Sequence, residues 1–150
     1  MRLVVQRVKK AKVTTLKDNK VVGKINDGLF VLVGIKKGDS EKEVEVLAEK
    51  LVKLRVMSDS EDRMNLSIKD VNAKVLLVSQ FTLHADVSGG NRPSFIDAEE
   101  PNRAKELYEL LVSRLKEKGI EVETGSFGNY MQIETILDGP VTILVLRLNV

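Results

Sequence analysis

The sequence contains no cysteine and a single histidine, His84. The absence of cysteine excludes disulfides, thiol nucleophiles and cysteine-ligated metal sites, and it suits a reducing cytosol. One histidine likewise excludes a histidine-rich metal site. We therefore expect a protein that holds no metal and no other cofactor.

Long apolar runs and an excess of one charge are also missing. The longest apolar run outside the N-terminus, residues 29–35, has the length of a strand and not of a membrane span. The apolar stretch in "MRLVVQRVKK" is too short for the central region of a signal peptide. The 24 basic and 22 acidic residues leave a net charge of +2, which excludes a broad basic field for nucleic acid. Local basic patches occur at residues 9–12, at 36–37 and around Arg92, but lysines also protect strand edges. We predict a cytoplasmic protein without membrane contact.

The first half of the chain alternates strand and helix signals. The β-branched stretch "RLVVQRVKKAKVTT", the turn "LKDNK" and the stretch "VVGKI" predict an N-terminal β-hairpin. The apolar run "LFVLVGI" predicts a strand buried on both faces at the centre of the sheet, and "KVLLVSQFTL" predicts a further strand. Ser40 and Glu43 have the spacing of a capping box, which predicts a helix start. The polar stretch "MSDSEDRMNLSIKDVNA" predicts little regular structure.

The second half predicts one more helix and three strands. Pro101 and Gly119 bracket a helical stripe of apolar residues. The segments "IEVET", "NYMQIETIL" and "VTILVLRLNV" predict strands, and the intervening "DGP" has the composition of a tight turn. The chain is therefore predicted to be one α/β domain, residues 1–150. Its sheet would be mixed or antiparallel, with the hairpin at the N-terminus and two helices covering one face.

The segment "SQFTLHADVSGGNRPSF", residues 79–95, has the residue types of a hydrolase site. A triad of Ser79, His84 and Asp86 requires the serine and histidine side chains to meet. Side chains on a strand alternate between faces, so Ser79 and His84 would point to opposite sides. The pattern argues against the triad, and it indicates that His84 and Asp86 are polar residues near a turn. The same alternation would place Gln80 and Thr82 on one face of the strand.

Several motifs together resemble the D-aminoacyl-tRNA deacylase family. They are "MRLVVQRV", "GLFVLVGI", "LVKLRVM", "RMNLSI", "LLVSQFTLHAD" with "NRPSF", and "GSFGNYMQIETILDGPVTI", and they cover nearly the whole chain. Members of that family are homodimers that hydrolyse the ester linking a D-amino acid, or glycine, to the terminal adenosine of tRNA. The resemblance implies the same activity here, with D-aminoacyl-tRNA and a second copy of the chain as partners.

The resemblance also implies roles for individual residues. The pocket floor with its catalytic groups would be formed by Ser79, Gln80, Phe81 and Thr82, and the pocket wall by Phe127 and Met131. The partner subunit would supply a chiral filter, the cis pair Gly139 and Pro140. Arg7 would support that filter.

Physical chemistry agrees with these implied roles. A cis bond before proline costs only about 0.5–1 kcal/mol, against about 2.5–4 kcal/mol before other residues. A Gly-cis-Pro turn would aim main-chain carbonyls at the substrate ammonium and leave no room for an L side chain, while glycine would pass. The activated ester needs a positioned nucleophile and donors to the oxyanion, such as amides near Phe81 and Thr82. Thr82 has no evident base. We therefore favour positioning by Thr82 and Gln80, assisted by the ribose 2′-hydroxyl, over a covalent acyl-enzyme.

The chain departs from the family pattern at a few places. "FGNYM" stands where "FGADM" is expected, which puts Asn129 and Tyr130 beside the pocket. Leu137 precedes "DGPVT", and "NRPSF" replaces a more basic motif. These departures bear on substrate selectivity and tRNA affinity.

Other interpretations of the same residues remain. Taken singly, the motif residues would be an ordinary strand end, core side chains and a hairpin turn. The main alternative function is a non-catalytic RNA- or nucleotide-binding module on the same fold. A second alternative is a hydrolase of free D-aminoacyl esters or peptides.

Overall fold

A computed structural model describes residues 1–146. Within these residues the chain forms eight strands, two α-helices and one short 3₁₀ helix. These are β1 (Arg2–Thr15), β2 (Lys20–Ile25), β3 (Gly28–Gly34), α1 (Glu41–Lys53), β4 (Met57–Ser58), β5 (Met64–Leu66), β6 (Lys74–Ser79), the 3₁₀ helix (Phe81–His84), α2 (Pro101–Glu117), β7 (Val122–Thr124) and β8 (Met131–Leu146). The predicted α/β class with an N-terminal hairpin and two helices is confirmed.

The long strand β1 organises a mixed sheet. It pairs antiparallel with β2, β3 and β8, whereas β3, β6 and β7 are parallel to one another. The order is β2-β1-β3-β6-β7, with β8 along the other side of β1. The short strands β4 and β5 form a separate pair in the segment predicted to have little structure.

Both faces of the sheet are covered, which explains why β3 is apolar on both sides. The two helices pack on one face. The second half of β1, with β2 and the start of β8, folds over the other face and encloses Phe30, Leu76 and Val78. This folding requires Gly23, because a Cβ there would lie 2.4 Å from the Thr124 carbonyl oxygen.

Local signals fixed the helix ends as predicted. The Ser40 amide donates to the Glu43 carboxylate at 2.8 Å, and the Ser40 hydroxyl accepts from the Lys42 amide at 3.3 Å. Pro101 opens α2, and Gly119 follows its end. Within residues 1–146, no helix combines the length and apolar composition that a membrane span requires.

The prediction of two C-terminal strands joined by a tight turn at "DGP" is wrong. β8 is one strand along β1, with Leu137 opposite Val8 and Thr142 opposite Gln6. Residues 138–141 bulge outward where β1 has only Arg7. Both flanks pair with the same neighbour, so the chain continues in one direction through the bulge. Residues 147–150 of the predicted last strand lie outside the described part of the chain.

Candidate functional site

Of the residues predicted to be catalytic, Ser79 is the last residue of β6, and Gln80 and Thr82 lie in the turn that follows it. β6 ends at Ser79, and the Gln80 amide donates to the Val33 carbonyl at 2.8 Å. The chain then forms the 3₁₀ helix, closed by the Leu83 amide and the Gln80 carbonyl at 3.3 Å. The predicted alternation of side chains across a strand from Ser79 to Thr82 is therefore wrong. We call residues 79–84 the polar turn.

Gly34 and Arg2 place the polar turn, and the sequence analysis missed both. A Cβ at Gly34 would lie 2.8 Å from the Leu83 Cβ and 3.2 Å from the Gln80 carbonyl oxygen. The bare end of β3 thus lets the turn pack across it. The Arg2 guanidinium donates to the Leu83 carbonyl at 2.7 Å. A glycine inside an apolar strand was the available signal, because it often marks close backbone approach.

Gln80 and Thr82 still meet, by a different route from the one predicted. The Gln80 side-chain amide donates to the Thr82 hydroxyl oxygen across two residues of the polar turn. Thr82 and Phe81 are exposed, whereas Ser79 is half-buried. The Phe81 ring contacts Phe95 edge to face, with centroids 5.0 Å apart. The turn therefore presents a hydroxyl and an aromatic ring to solvent.

His84 lies in the turn but is buried, with 4% of its surface exposed. Its Nε2 has no hydrogen-bond partner among the described residues. Burial lowers the pKa of His84, the charge of Arg2 adds to that effect, and the Gly34 backbone opposes it. Asp86 instead accepts from the Ser88 amide at 2.9 Å, which lowers the pKa of its own carboxyl. Burial thus favours the neutral form of His84, and no hydrogen bond among the described residues joins Ser79, His84 and Asp86 into a triad.

The loop between β7 and β8 lies beside the polar turn. The Gly125 amide donates to the Leu77 carbonyl at 3.1 Å, two residues before Ser79. The Ser126 amide donates to the Met131 sulfur at 3.2 Å. Met131 is half-buried and packs with the core under the hairpin. The structure thus brings the predicted wall segment to the same end of the sheet as Ser79.

Phe127 lies on the helix side of this loop. Its ring packs against Tyr108 of α2, with centroids 5.7 Å apart, and Tyr108 donates its buried hydroxyl to the Leu77 carbonyl at 2.7 Å. Phe127 and Met131 therefore both contribute to core packing, on opposite faces of the sheet. A groove separates α2 from the loop. It is lined by Lys105, Tyr108, Glu109, Val112, Lys116, Thr124, Gly125, Ser126, Phe127 and Asn129.

Arg7 anchors the bulge at residues 138–141. Its Nε lies 3.0 Å from the Asp138 carboxylate and donates to the Asp138 carbonyl at 3.3 Å. Its Nη1 donates to the Val56 carbonyl at 2.9 Å, and only 10% of the side chain is exposed. Gly139 and Pro140 are exposed, and the peptide bond between them is cis. A half-buried arginine that is held by several hydrogen bonds thus fixes the base of an exposed loop.

The polar turn and this loop are far apart in one chain. Ser79 aligns with Leu3 of β1 through Val33, whereas the bulge lies opposite Arg7. Four residues along β1 span about 13 Å, and the three strand spacings from β8 to β6 span about 14 Å. The two features are therefore roughly 20 Å apart by strand geometry. One chain does not bring the predicted catalytic and selectivity residues together.

Among residues 1–146, no group of three or more His, Asp or Glu side chains is arranged to hold a metal ion. The groups of the polar turn that are available for chemistry include the hydroxyls of Ser79 and Thr82, the Gln80 carboxamide and main-chain amides and carbonyls.

Comparison with known proteins decides the family. A sequence model of D-Tyr-tRNA(Tyr) deacylases matches residues 4–146. The chain belongs to this family. A D-aminoacyl-tRNA deacylase from Aquifex aeolicus (strain VF5) is 50% identical over 97% of each chain. One from Thermotoga petrophila is 51% identical over 97% of this chain and 96% of its own. The solved c-Myc DNA Unwinding Element Binding Protein is 36% identical, with a TM-score of 0.91, over 97% of this chain and 98% of its own. The resemblance seen in the sequence is confirmed, and the deacylase fold extends over the described chain.

Proposed function

We propose that the protein hydrolyses the ester between a D-amino acid and the terminal adenosine of tRNA, releasing the free D-amino acid and reusable tRNA. The observation that carries this function is the deacylase family match over residues 4–146. The protein is a D-aminoacyl-tRNA deacylase, a hydrolase of aminoacyl ester bonds that acts in translation proofreading. The roles of single residues, of the terminal adenosine and of a second subunit extend this assignment.

The polar turn would bind the ester and its oxyanion. The amides of Phe81 and Thr82 open the 3₁₀ helix, ahead of its first closing hydrogen bond from Leu83 to Gln80. The first amides of a helix lack partners within the helix and point outward. Donors placed in this way stabilise the charge that develops on a carbonyl oxygen during hydrolysis.

Thr82 would orient the attack and would not form a covalent bond to the acyl group. The Gln80 carboxamide donates to the Thr82 oxygen, so the threonine hydroxyl hydrogen remains available as a donor. A carboxamide is not a base, and the His84 side chain is buried in the protein, so neither group would deprotonate the Thr82 hydroxyl. The attacking group would be a water held by Thr82 or activated by the neighbouring ribose 2′-hydroxyl of the substrate.

Chirality would be read by main-chain carbonyls of Gly139 and Pro140 from a second subunit. Both residues are exposed, and Arg7 fixes the loop that carries them. Their distance from the polar turn of the same chain favours delivery to the site of another copy. Carbonyl oxygens accept hydrogen bonds from an α-ammonium regardless of the side chain. Such a filter would reject L substrates and would pass glycine, including glycine mischarged on tRNA.

A homodimer is supported by the outer edge of β8. This edge strand exposes three large apolar side chains, Ile136 (57%), Leu137 (44%) and Leu144 (60%). Native proteins rarely leave a long apolar edge strand open to solvent. The Gly139–Pro140 loop projects from the same strand, so pairing along it would bring the loop into the interface.

The decisive experiment compares three substrates of the purified protein. These are D-tyrosyl-tRNA, L-tyrosyl-tRNA, and D-tyrosyl-tRNA whose terminal adenosine lacks the 2′-hydroxyl and carries the amino acid as a 3′ ester. We expect fast release from the D ester, slow release from the L ester and a large loss with the 2′-deoxy end. Equal hydrolysis of the D and L esters would refute the chiral filter. Full activity on the 2′-deoxy substrate would refute assistance by the ribose.

A non-catalytic nucleic-acid-binding module is the second candidate. It is favoured by the close structural match to a protein described as a DNA-element binding protein. This candidate predicts tRNA binding without release of amino acid, and binding that is unchanged in Thr82→Ala. A hydrolase of free D-aminoacyl esters would instead cleave D-tyrosine ethyl ester regardless of salt and of added tRNA. The same assay set separates all three functions.

A further inference from the structure

Tyr130 has the most exposed side chain among the large apolar and aromatic residues of the described chain, with 82% of its surface accessible. A ring in this state adds little to the packing of its own protein. An exposed tyrosine does offer a flat apolar surface with a polar tip, which is the kind of group that partners bind. Its location therefore matters more than its contribution to stability.

Tyr130 is held between the candidate site and the tip of the N-terminal hairpin. The preceding residue, Asn129, lines the groove beside Phe127. The Tyr130 carbonyl accepts from the Leu16 amide at 3.1 Å, and the following residue, Met131, pairs with Thr15. The ring thus has a fixed base at the outer end of the groove.

The hairpin tip, which begins next to the Leu16 amide that holds Tyr130, carries a lysine without an ion-pair partner among the described residues. Lys17, Asp18 and Lys20 are all exposed there. The Thr15 hydroxyl donates to the Asp18 carboxylate and lowers its pKa, and Lys20 interacts electrostatically with the same carboxylate. Lys17 forms no ion pair with any residue from 1 to 146. It is therefore the cation left available to a ligand.

We propose that Tyr130 and Lys17 form a contact surface for single-stranded RNA outside the catalytic pocket. Tyr130 stacks on the unpaired base that precedes the terminal adenosine, and Lys17 contacts a neighbouring phosphate. This inference rests on the proposed function, because the terminal adenosine must occupy the adjacent site. An aromatic ring paired with a cation is the usual arrangement for sequence-tolerant binding of single strands. The small apolar area, to which Leu16 adds a side chain only 49% exposed, suits one base better than a protein partner.

The test uses two esters that differ in the preceding nucleotides, D-tyrosyl-tRNA and D-tyrosyl-adenosine. Tyr130→Ala should lower kcat/KM on the tRNA by roughly 5- to 150-fold, which is the effect of losing one base–aromatic stack. It should leave D-tyrosyl-adenosine hydrolysis unchanged, and Tyr130→Phe should restore activity on the tRNA. Lys17→Gln should reduce the salt dependence of kcat/KM by about 0.7 in the log–log slope, the value for one phosphate contact in a single strand. Lys42→Gln on α1, an exposed lysine that does not line the groove, is the matched control and should change neither quantity.

Several outcomes would overturn the proposal. Equal losses on both esters would mean that Tyr130 acts on the pocket itself. Unchanged kinetics on both would mean that it binds nothing relevant. A Tyr130→Ala protein that becomes monomeric by light scattering would assign the ring to a subunit contact. If the wild type cleaves neither ester, the proposed function fails, and the RNA contact surface is tested by direct tRNA binding. Weaker tRNA binding by Tyr130→Ala would support the surface, and unchanged binding would refute it.

Discussion

Replacing Gly34 with alanine tests whether packing against β3 positions the polar turn for catalysis. The new Cβ would lie 2.8 Å from the Leu83 Cβ and 3.2 Å from the Gln80 carbonyl oxygen. Neither atom is the far end of a flexible side chain, so the turn must move as a unit. Reaching an ordinary contact of 3.4 Å requires a shift of about 0.6 Å. Since a 1 Å misplacement in an active site costs up to roughly 100-fold, we expect kcat/KM to fall by about 10-fold or more. Overpacking should also lower the free energy of unfolding by about 1–3 kcal/mol.

The assay is release of D-tyrosine from D-tyrosyl-tRNA, paired with urea unfolding of the same protein. Kinetics are measured at a temperature where the variant is fully folded, so that the two effects separate. Gly89→Ala is the matched control, because a Cβ there meets nothing within 4 Å. Wild-type kcat/KM in a destabilised Gly34→Ala protein would refute the link between the position of the turn and the rate. Unchanged stability as well would refute the close packing itself.

Three further substitutions address the remaining groups. Arg7→Met removes the contacts to Asp138, so we expect the free energy of unfolding to fall by about 2–3 kcal/mol and L-tyrosyl-tRNA to be cleaved faster. Lys9→Met is the control, because it removes an exposed lysine 3.5 Å from the same carboxylate, and it should have little effect. Equal effects of the two substitutions would contradict the anchoring role of Arg7. Thr82→Ala should lower kcat roughly 100-fold, as for one lost donor, without abolishing it; detection of an acyl-threonine by mass spectrometry would restore covalent catalysis. Burial lowers the pKa of His84, so below its ordinary value of 6.5 the unfolded chain binds more protons and stability falls as pH drops. Urea unfolding between about pH 7.5 and about pH 5.5 should show a slope of up to about 1.4 kcal/mol per pH unit that His84→Gln flattens, and an unflattened slope would place the titrating group elsewhere.

The elements predicted correctly from sequence are those with local causes. The capping box at Ser40 and Glu43, and the Pro101 and Gly119 boundaries, depend on residues within a turn of each other. β8 was divided wrongly because the behaviour of "DGP" depends on a distant partner. A proline and a glycine between two apolar stretches have the composition of a hairpin turn. The pairing of both stretches with β1 makes them a bulge.

The candidate site was predicted from motifs and not from geometry. The period-two argument placed Gln80 and Thr82 on one face of a strand, whereas the strand ends at Ser79. Their contact arises because the chain coils into a 3₁₀ turn across the bare end of β3. That outcome depends on Gly34, which is distant in sequence, so no local pattern around residues 79–84 reveals it. The burial of His84 has the same cause.

Strand β1 links the two halves of the proposed site. Arg2 near its start holds the polar turn through the Leu83 carbonyl, and Arg7 in its middle holds the bulge through Asp138. Because one continuous strand carries both arginines, their separation is fixed and the loop cannot swing to its own turn. Each proposed active site would then take its turn from one β1 and its loop from the other. Chiral rejection would consequently depend on subunit association, because a monomer would retain a folded turn and lose the filter.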